Sequence, residues 1–178
     1  SSGALSDFNW GTADFTFDCW ARPATASGQL FIFDMRSDAT INPCFYLLNG
    51  IPGFFANGAV RITGAAALPL NAWTHLAVSR VAGVTRMFVN GTQVGASYTD
   101  GNNYIAPTGL LVATGTGGAS PFNGYLDEIR FAKGGYYAAN FTPESSEYII
   151  PSANMTLRSV AYSAASVPTT GRLAVQLV

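Results

Sequence analysis

A chain of 178 residues is the size of one domain, and with 48% hydrophobic against 11% charged residues it carries too much apolar surface to remain disordered. Nine basic and ten acidic residues give a net charge of -1 with no block of either sign, which argues against a surface that tracks phosphates, and so against nucleic acid as a partner. The apolar residues fall in short runs interrupted by 19 Gly and 9 Pro, none long enough for a membrane helix, so membrane insertion is not expected either.

Ser1 to Asp7 show neither the basic start nor the apolar stretch of a signal peptide, and the missing initiator Met fits a processed product or an excised piece. Phe15-Thr16-Phe17-Asp18-Cys19-Trp20 alternates between Gly11 and Pro23 and predicts a strand. Cys19 shares the phase of Phe15 and Phe17, which makes it a small buried hydrophobe; a bridge to Cys44 is the weaker alternative. Further strands are predicted over Leu30 to Met35 and Cys44 to Leu48. Asn49-Gly50 then turns the chain into a short segment around Phe54 and Phe55, and Val60 to Thr63 follows.

Trp73 to Arg80 alternates again and turns at Ala82-Gly83 into Thr85 to Val89. Asn90-Gly91 then supplies the two positive-φ positions of a type I′ turn, returning as Thr92 to Val94. Gly109 to Ala113 and Gly124 to Phe131 complete the strands, separated by a glycine-rich loop at Thr114 to Ser120. Leu126 and Ile129 are both apolar although out of phase, which predicts a bulge at Asp127-Glu128. Tyr136 to Pro143 has no clean period, and the main domain is predicted to span 1–145. Residues 146–178 read as a C-terminal β extension, a hairpin of Met155 to Tyr162 and Leu173 to Val178 that pairs with the sandwich or with a neighbouring subunit. The recurrence of strand signals about every ten residues, with almost no helical period, predicts an all-β fold, an antiparallel sandwich with a short terminal hairpin.

Four motifs in order resemble the laminin G-like branch of the concanavalin A-like superfamily, whose fold is a jelly roll. They are Phe15 to Trp20, Asn71-Ala72-Trp73-Thr74-His75-Leu76-Ala77-Val78, Phe88-Val89-Asn90-Gly91, and Gly124-Tyr125-Leu126-Asp127-Glu128-Ile129-Arg130-Phe131. Lys133-Gly134-Gly135-Tyr136-Tyr137-Ala138-Ala139-Asn140-Phe141-Thr142-Pro143 is in addition similar to the ending of such domains in tailed-bacteriophage structural proteins. The likeness implies a non-enzymatic virion module, a capsid decoration or tail-associated protein made in the host cytoplasm. Its partners would be other virion proteins, copies of itself or host-surface glycans. The alternative is a free-standing carbohydrate-binding, lectin-like module, secreted or displayed at the cell surface.

Retaining glucan hydrolases need two carboxylates about 5 Å apart on one side of a substrate. The adjacent acids Asp127 and Glu128 sit where strand neighbours point to opposite faces, so catalysis is not expected. His75 is the sole histidine and has no Ser or Cys motif near it in sequence, which makes it structural. In relatives of this kind the Asp of the closing strand helps hold a structural calcium, so the resemblance implies that role for Asp127; no other cofactor is expected. The alternative is that Asp127 bonds free backbone amides at the bulge. For glycans, Tyr98, Tyr104, Tyr136 and Tyr137 in loops offer ring platforms, with Asn102 and Asn103 as hydrogen-bonding partners. The alternative for these tyrosines is packing over the rim of the sandwich. Trp10, Trp20 and Trp73 are expected in the core or on a sheet face. Sequons begin at Asn90, Asn140 and Asn154 and bear on glycosylation only in a secreted eukaryotic setting.

Overall fold

The structure, a computed structural model, describes residues 5–36 and 40–144. The terminal hairpin expected over 155–178 lies outside the described residues. Among those described, the chain forms β1 (Phe15–Pro23), β2 (Gln29–Asp34), β3 (Cys44–Leu48), β4 (Ile51–Ala56), β5 (Ala59–Thr63), β6 (Thr74–Val81), β7 (Val84–Val89), β8 (Thr92–Thr99), β9 (Leu111–Val112) and β10 (Gly124–Lys133). Single 3₁₀ turns stand at Ser6–Phe8 and Thr116–Gly118, the second inside the predicted glycine-rich loop. The strands pair antiparallel into two five-stranded sheets, β10-β1-β6-β7-β8 and β5-β4-β3-β2-β9.

Alternation decides which side chains meet between the sheets. Phe15, Phe17, Cys19 and Ala21 of β1 point inward and are fully buried. Phe17 packs at ring-centroid distances of 4.6 Å on Phe33 and 4.8 Å on Phe131. Removing such rings from water stabilises the fold by about 1.5–3 kcal/mol each. Trp10 stacks on Phe15 at 4.4 Å and closes the core at one end. Cys19 and Cys44 are both free and buried. Burial pushes the Cys44 thiol up to about 12, and burial followed by the nearby Asp18 charge raises Cys19 well above its ordinary value, so both behave as hydrophobes.

The two-residue hairpin turns have positive φ at both central positions: Asn49-Gly50, Ala82-Gly83 and Asn90-Gly91 as predicted, and Asn57-Gly58, which links β4 to β5. β8 is longer than predicted, extending from Thr92 to Thr99. Within it Gly95 marks a close approach to the other sheet, because a Cβ there would lie 2.6 Å from the Thr63 carbonyl oxygen. The bulge in β10 falls where the apolar spacing placed it: pairing with β1 shifts between Asp18 and Trp20, and Glu128 has φ 48°.

Arg80 is fully buried at the end of the core beside Trp10 and Phe15. Its guanidinium donates to the carbonyls of Ala13 (2.9 Å from Nε), Asn102 (2.9 Å) and Gly11 (2.8 Å), and lies over the rings of Phe15 and Tyr104 at 5.1 and 4.8 Å. Asp100 sits 3.6 Å away and accepts hydrogen bonds from Thr85 (2.7 Å), Tyr104 (2.8 Å) and the Asn102 side-chain amide (2.8 Å). This buried cluster ties the segment before β1 to the loop after β8, where Gly11 and Tyr104 exchange backbone bonds.

Candidate functional site

The outer face of the first sheet carries the polar side chains of β1, and the segment from Gly134 to Glu144 lies across most of it. Tyr136 N–H donates to Thr16 Oγ1 (2.9 Å) and Tyr137 N–H to Ser79 Oγ (3.2 Å). Phe141 N–H donates to the Gly91 carbonyl (2.9 Å), and Gln93 N–H to Asn140 Oδ1 (2.9 Å). Beneath this strap, Asp18 pairs with Arg130 through both carboxylate oxygens and accepts from the Tyr137 hydroxyl at 2.8 Å. Burial, then the charge of Asp18, raises Tyr137 above its ordinary value. Tyr137 stacks on Phe141 at 3.6 Å and 5°. The Lys133-to-Pro143 motif therefore has a packing explanation: it covers a polar sheet face.

His75 lies under the same strap with 1% of its surface exposed, edge-on to Trp20 (5.3 Å) and Phe141 (5.7 Å). Neither ring nitrogen has a hydrogen-bond partner among the described residues. Burial holds its pKa below the ordinary value; Asp18 opposes that shift and Arg130 adds to it. The unfolded chain thus binds a proton that the folded chain refuses, so stability falls as pH drops through the ordinary histidine range near about 6.5 and continues to fall toward the lower folded value. The urea midpoint is expected to be lower at pH 5 than at pH 7.5, with the difference greatly reduced in His75→Phe. An unchanged midpoint across that window would refute the assignment.

The tyrosines and asparagines singled out from the sequence fall in two separate places. Tyr98 lies in β8 rather than in a loop, its hydroxyl accepting from Asn102 at 2.9 Å and its ring under Arg61 at 5.0 Å. Tyr104 is completely buried, its pKa raised first by burial and then by the Asp100 charge, and it offers no ring face to a ligand. Asn102 spends its amide on Asp100 and Tyr98 and accepts from Asn57, leaving Asn103 as the exposed member of that corner. Tyr137 is engaged under the strap, while Tyr136 is 44% exposed with the Arg130 guanidinium 4.8 Å from its ring centre. Asp127 accepts the Glu128 N–H at 2.9 Å across the bulge, and no group of three His, Cys, Asp or Glu side chains converges among the described residues. That bond to a backbone amide at the bulge is the alternative drawn for Asp127 from the sequence.

The strap leaves one end of this outer face uncovered. Tyr125 of β10 pairs with Arg22 of β1, and the pairing of Ala21 with Thr74 puts Trp73, one residue earlier, opposite Arg22. Trp73 was expected in the core or on a sheet face; it precedes β6 and is 46% exposed, and Tyr125 is 60% exposed. The Arg22 guanidinium lies 5.6 Å from the Tyr125 ring centre, and its Nε donates to the Asn71 carbonyl at 2.9 Å. One step along the strands the register aligns Asp127, Trp20 and His75. Two exposed rings flanking a guanidinium, with a carboxylate and an indole behind, form a row that sequence reasoning missed, because its members come from β10, β1 and the lead into β6, which are distant in sequence. The outer face of the second sheet carries a cavity of about 220 Å³ lined by Tyr46, Leu48, Ile51, Gly53 and Val60. It is chiefly aliphatic, and Tyr46 is only 6% exposed, so it offers little ring face.

The family model for the concanavalin A-like lectin/glucanases superfamily, Laminin_G_3, matches residues 1–134. No curated protein matches the sequence. Similar solved structures include a candidate carbohydrate-binding protein of Bacteroides ovatus, with TM-score 0.60 and 18% identity over 71% of this chain and 39% of that one. The SAP-like pentraxin of Limulus polyphemus follows with TM-score 0.55 and 15% identity over 71% of this chain and 66% of its own. The sialidase module CBM40 of Ruminococcus gnavus bound to α2,3-sialyllactose gives TM-score 0.52 and 13% identity over 68% of this chain and 78% of its own. The chain thus spans well under half of the Bacteroides protein, and at these identities the likeness is one of fold.

Proposed function

The chain belongs to the concanavalin A-like lectin/glucanases superfamily, and we propose that it serves as a non-catalytic glycan-binding module whose contact surface is the row Tyr125, Arg22 and Trp73. The observation that carries this reading is the pair of rings, 60% and 46% exposed, left on one sheet end that the strap does not cover. Pyranose rings present flat C–H faces that pack on such aromatics, and the flanking guanidinium and carboxylate supply hydrogen bonds to hydroxyls. Sialyllactose bound to the Ruminococcus neighbour is consistent with it. A non-catalytic role is supported by the placement of Asp127 and Glu128, which are successive residues at the bulge of one strand, the first accepting the N–H of the second, rather than two carboxylates set about 5 Å apart on one side of a substrate.

Screening the 178-residue chain on a glycan array and titrating the best ligand by calorimetry tests the proposal. Trp73→Ala and Tyr125→Ala are each expected to weaken binding about tenfold, the equivalent of roughly 1.4 kcal/mol, without loss of the β-sheet circular dichroism. Undiminished binding by the double variant would overturn it. Display of this module on a virion, with other virion proteins or copies of itself as partners, is a narrower proposal. Its support is the likeness of Lys133 to Pro143, residues whose packing role is already sufficient to account for them.

A further inference from the structure

We infer that the row selects sugars bearing a single carboxylate, held by the Arg22 guanidinium; this rests on the glycan-binding reading of that row. Among the other arginines of the described residues, Arg36, Arg80 and Arg130 each have a carboxylate partner, in Asp34, Asp100 and Asp18, Arg61 donates to the carbonyls of Ala56 and Asn57, and an Nη of Arg86 donates to the Val84 carbonyl at 3.4 Å. Arg22 differs: its Nε is fixed on the Asn71 carbonyl, which is itself anchored by Asn71 N–H to the Pro23 carbonyl at 2.8 Å. Among the described residues its two Nη groups meet no acceptor. A guanidinium oriented by one bond and left with two free donors has the fork geometry that takes a carboxylate in two parallel hydrogen bonds. Tyr125 on one side and Trp73 on the other place a stacked sugar ring within reach of that fork.

Asp127 restricts the choice. In the neighbouring register its Oδ1 is committed to the Glu128 N–H, which leaves Oδ2 to accept from a sugar hydroxyl. Its negative charge, in a chain of net charge -1, opposes a densely sulfated polymer while tolerating one carboxylate directed at Arg22. The expected ligand is therefore a uronic or sialic acid residue within an otherwise neutral glycan.

Binding of the 178-residue chain to oligosaccharides containing uronic acid or sialic acid is to be compared with binding to the same oligosaccharides after reduction of the carboxylate to an alcohol, with heparin as the polyanion. At least tenfold preference for the acidic forms is expected, lost in Arg22→Ala and partly retained in Arg22→Lys. Trp73→Ala should weaken acidic and reduced forms alike. The two acidic sets distinguish a polysaccharide source from a terminal sialoside. Equal binding of acidic and reduced forms, or a preference for heparin, overturns the inference and leaves the glycan-binding reading standing. Failure to bind any of these sugars overturns both.

Discussion

Replacing Arg80 with alanine is expected to destabilise the fold by about 3–5 kcal/mol, the usual cost of removing one partner from a buried ion pair. The side chain is fully buried and bonds three backbone carbonyls, so its loss leaves those oxygens, and the carboxylate of Asp100, without a cation in a region closed to water. The stacking over Phe15 and Tyr104 is lost as well. Arg80→Lys restores charge but cannot reach three carbonyls with a planar fork, and should recover less than half of the loss. Urea denaturation monitored by circular dichroism measures both variants. A cost below about 1 kcal/mol for Arg80→Ala would mean that water replaces the guanidinium, contrary to its burial.

The strands could be read from the sequence because their inward faces are packed on one core: Phe15, Phe17 and Cys19 share a phase, and that phase is the buried one. The bulge was readable for the same reason, since Leu126 and Ile129 both serve the core and only an extra residue reconciles them. Tyr104 was misjudged because its burial is created by distant partners. Flanked by Asn102, Asn103 and Ile105 it resembles a loop tyrosine, and only the Arg80 and Asp100 cluster draws it inside. The strap has no periodicity to detect, because Tyr137 and Phe141 pack on the outer face of a sheet whose own pattern is polar there. Neither could the candidate site be seen: Arg22, Trp73 and Tyr125 become neighbours through the strand order β10-β1-β6, which a single sequence does not encode locally.

The second large effect is expected at Asp18, whose carboxylate is the polar anchor under the strap. Asp18→Ala leaves the Arg130 guanidinium and the Tyr137 hydroxyl facing a hole where two carboxylate oxygens had accepted their protons. With the Asp18 side chain wholly buried and that of Arg130 13% exposed, a loss of about 3 kcal/mol is expected. Asp18→Asn keeps the shape and one acceptor but sets an amide N–H₂ against the guanidinium, and should cost about half as much. The two variants also separate two ways of holding the strap. If the buried charge pair holds it, hydrogen exchange at residues 134–144 accelerates in Asp18→Ala by more than the global loss explains. If the stacking of Phe141 on Tyr137 and its contact with Phe88 hold it, the strap amides keep the protection of the remaining sheet. The first outcome is expected, because the Tyr137 ring is positioned by its hydroxyl: with Asp18 gone, the stack loses the bond that fixes one of its two members.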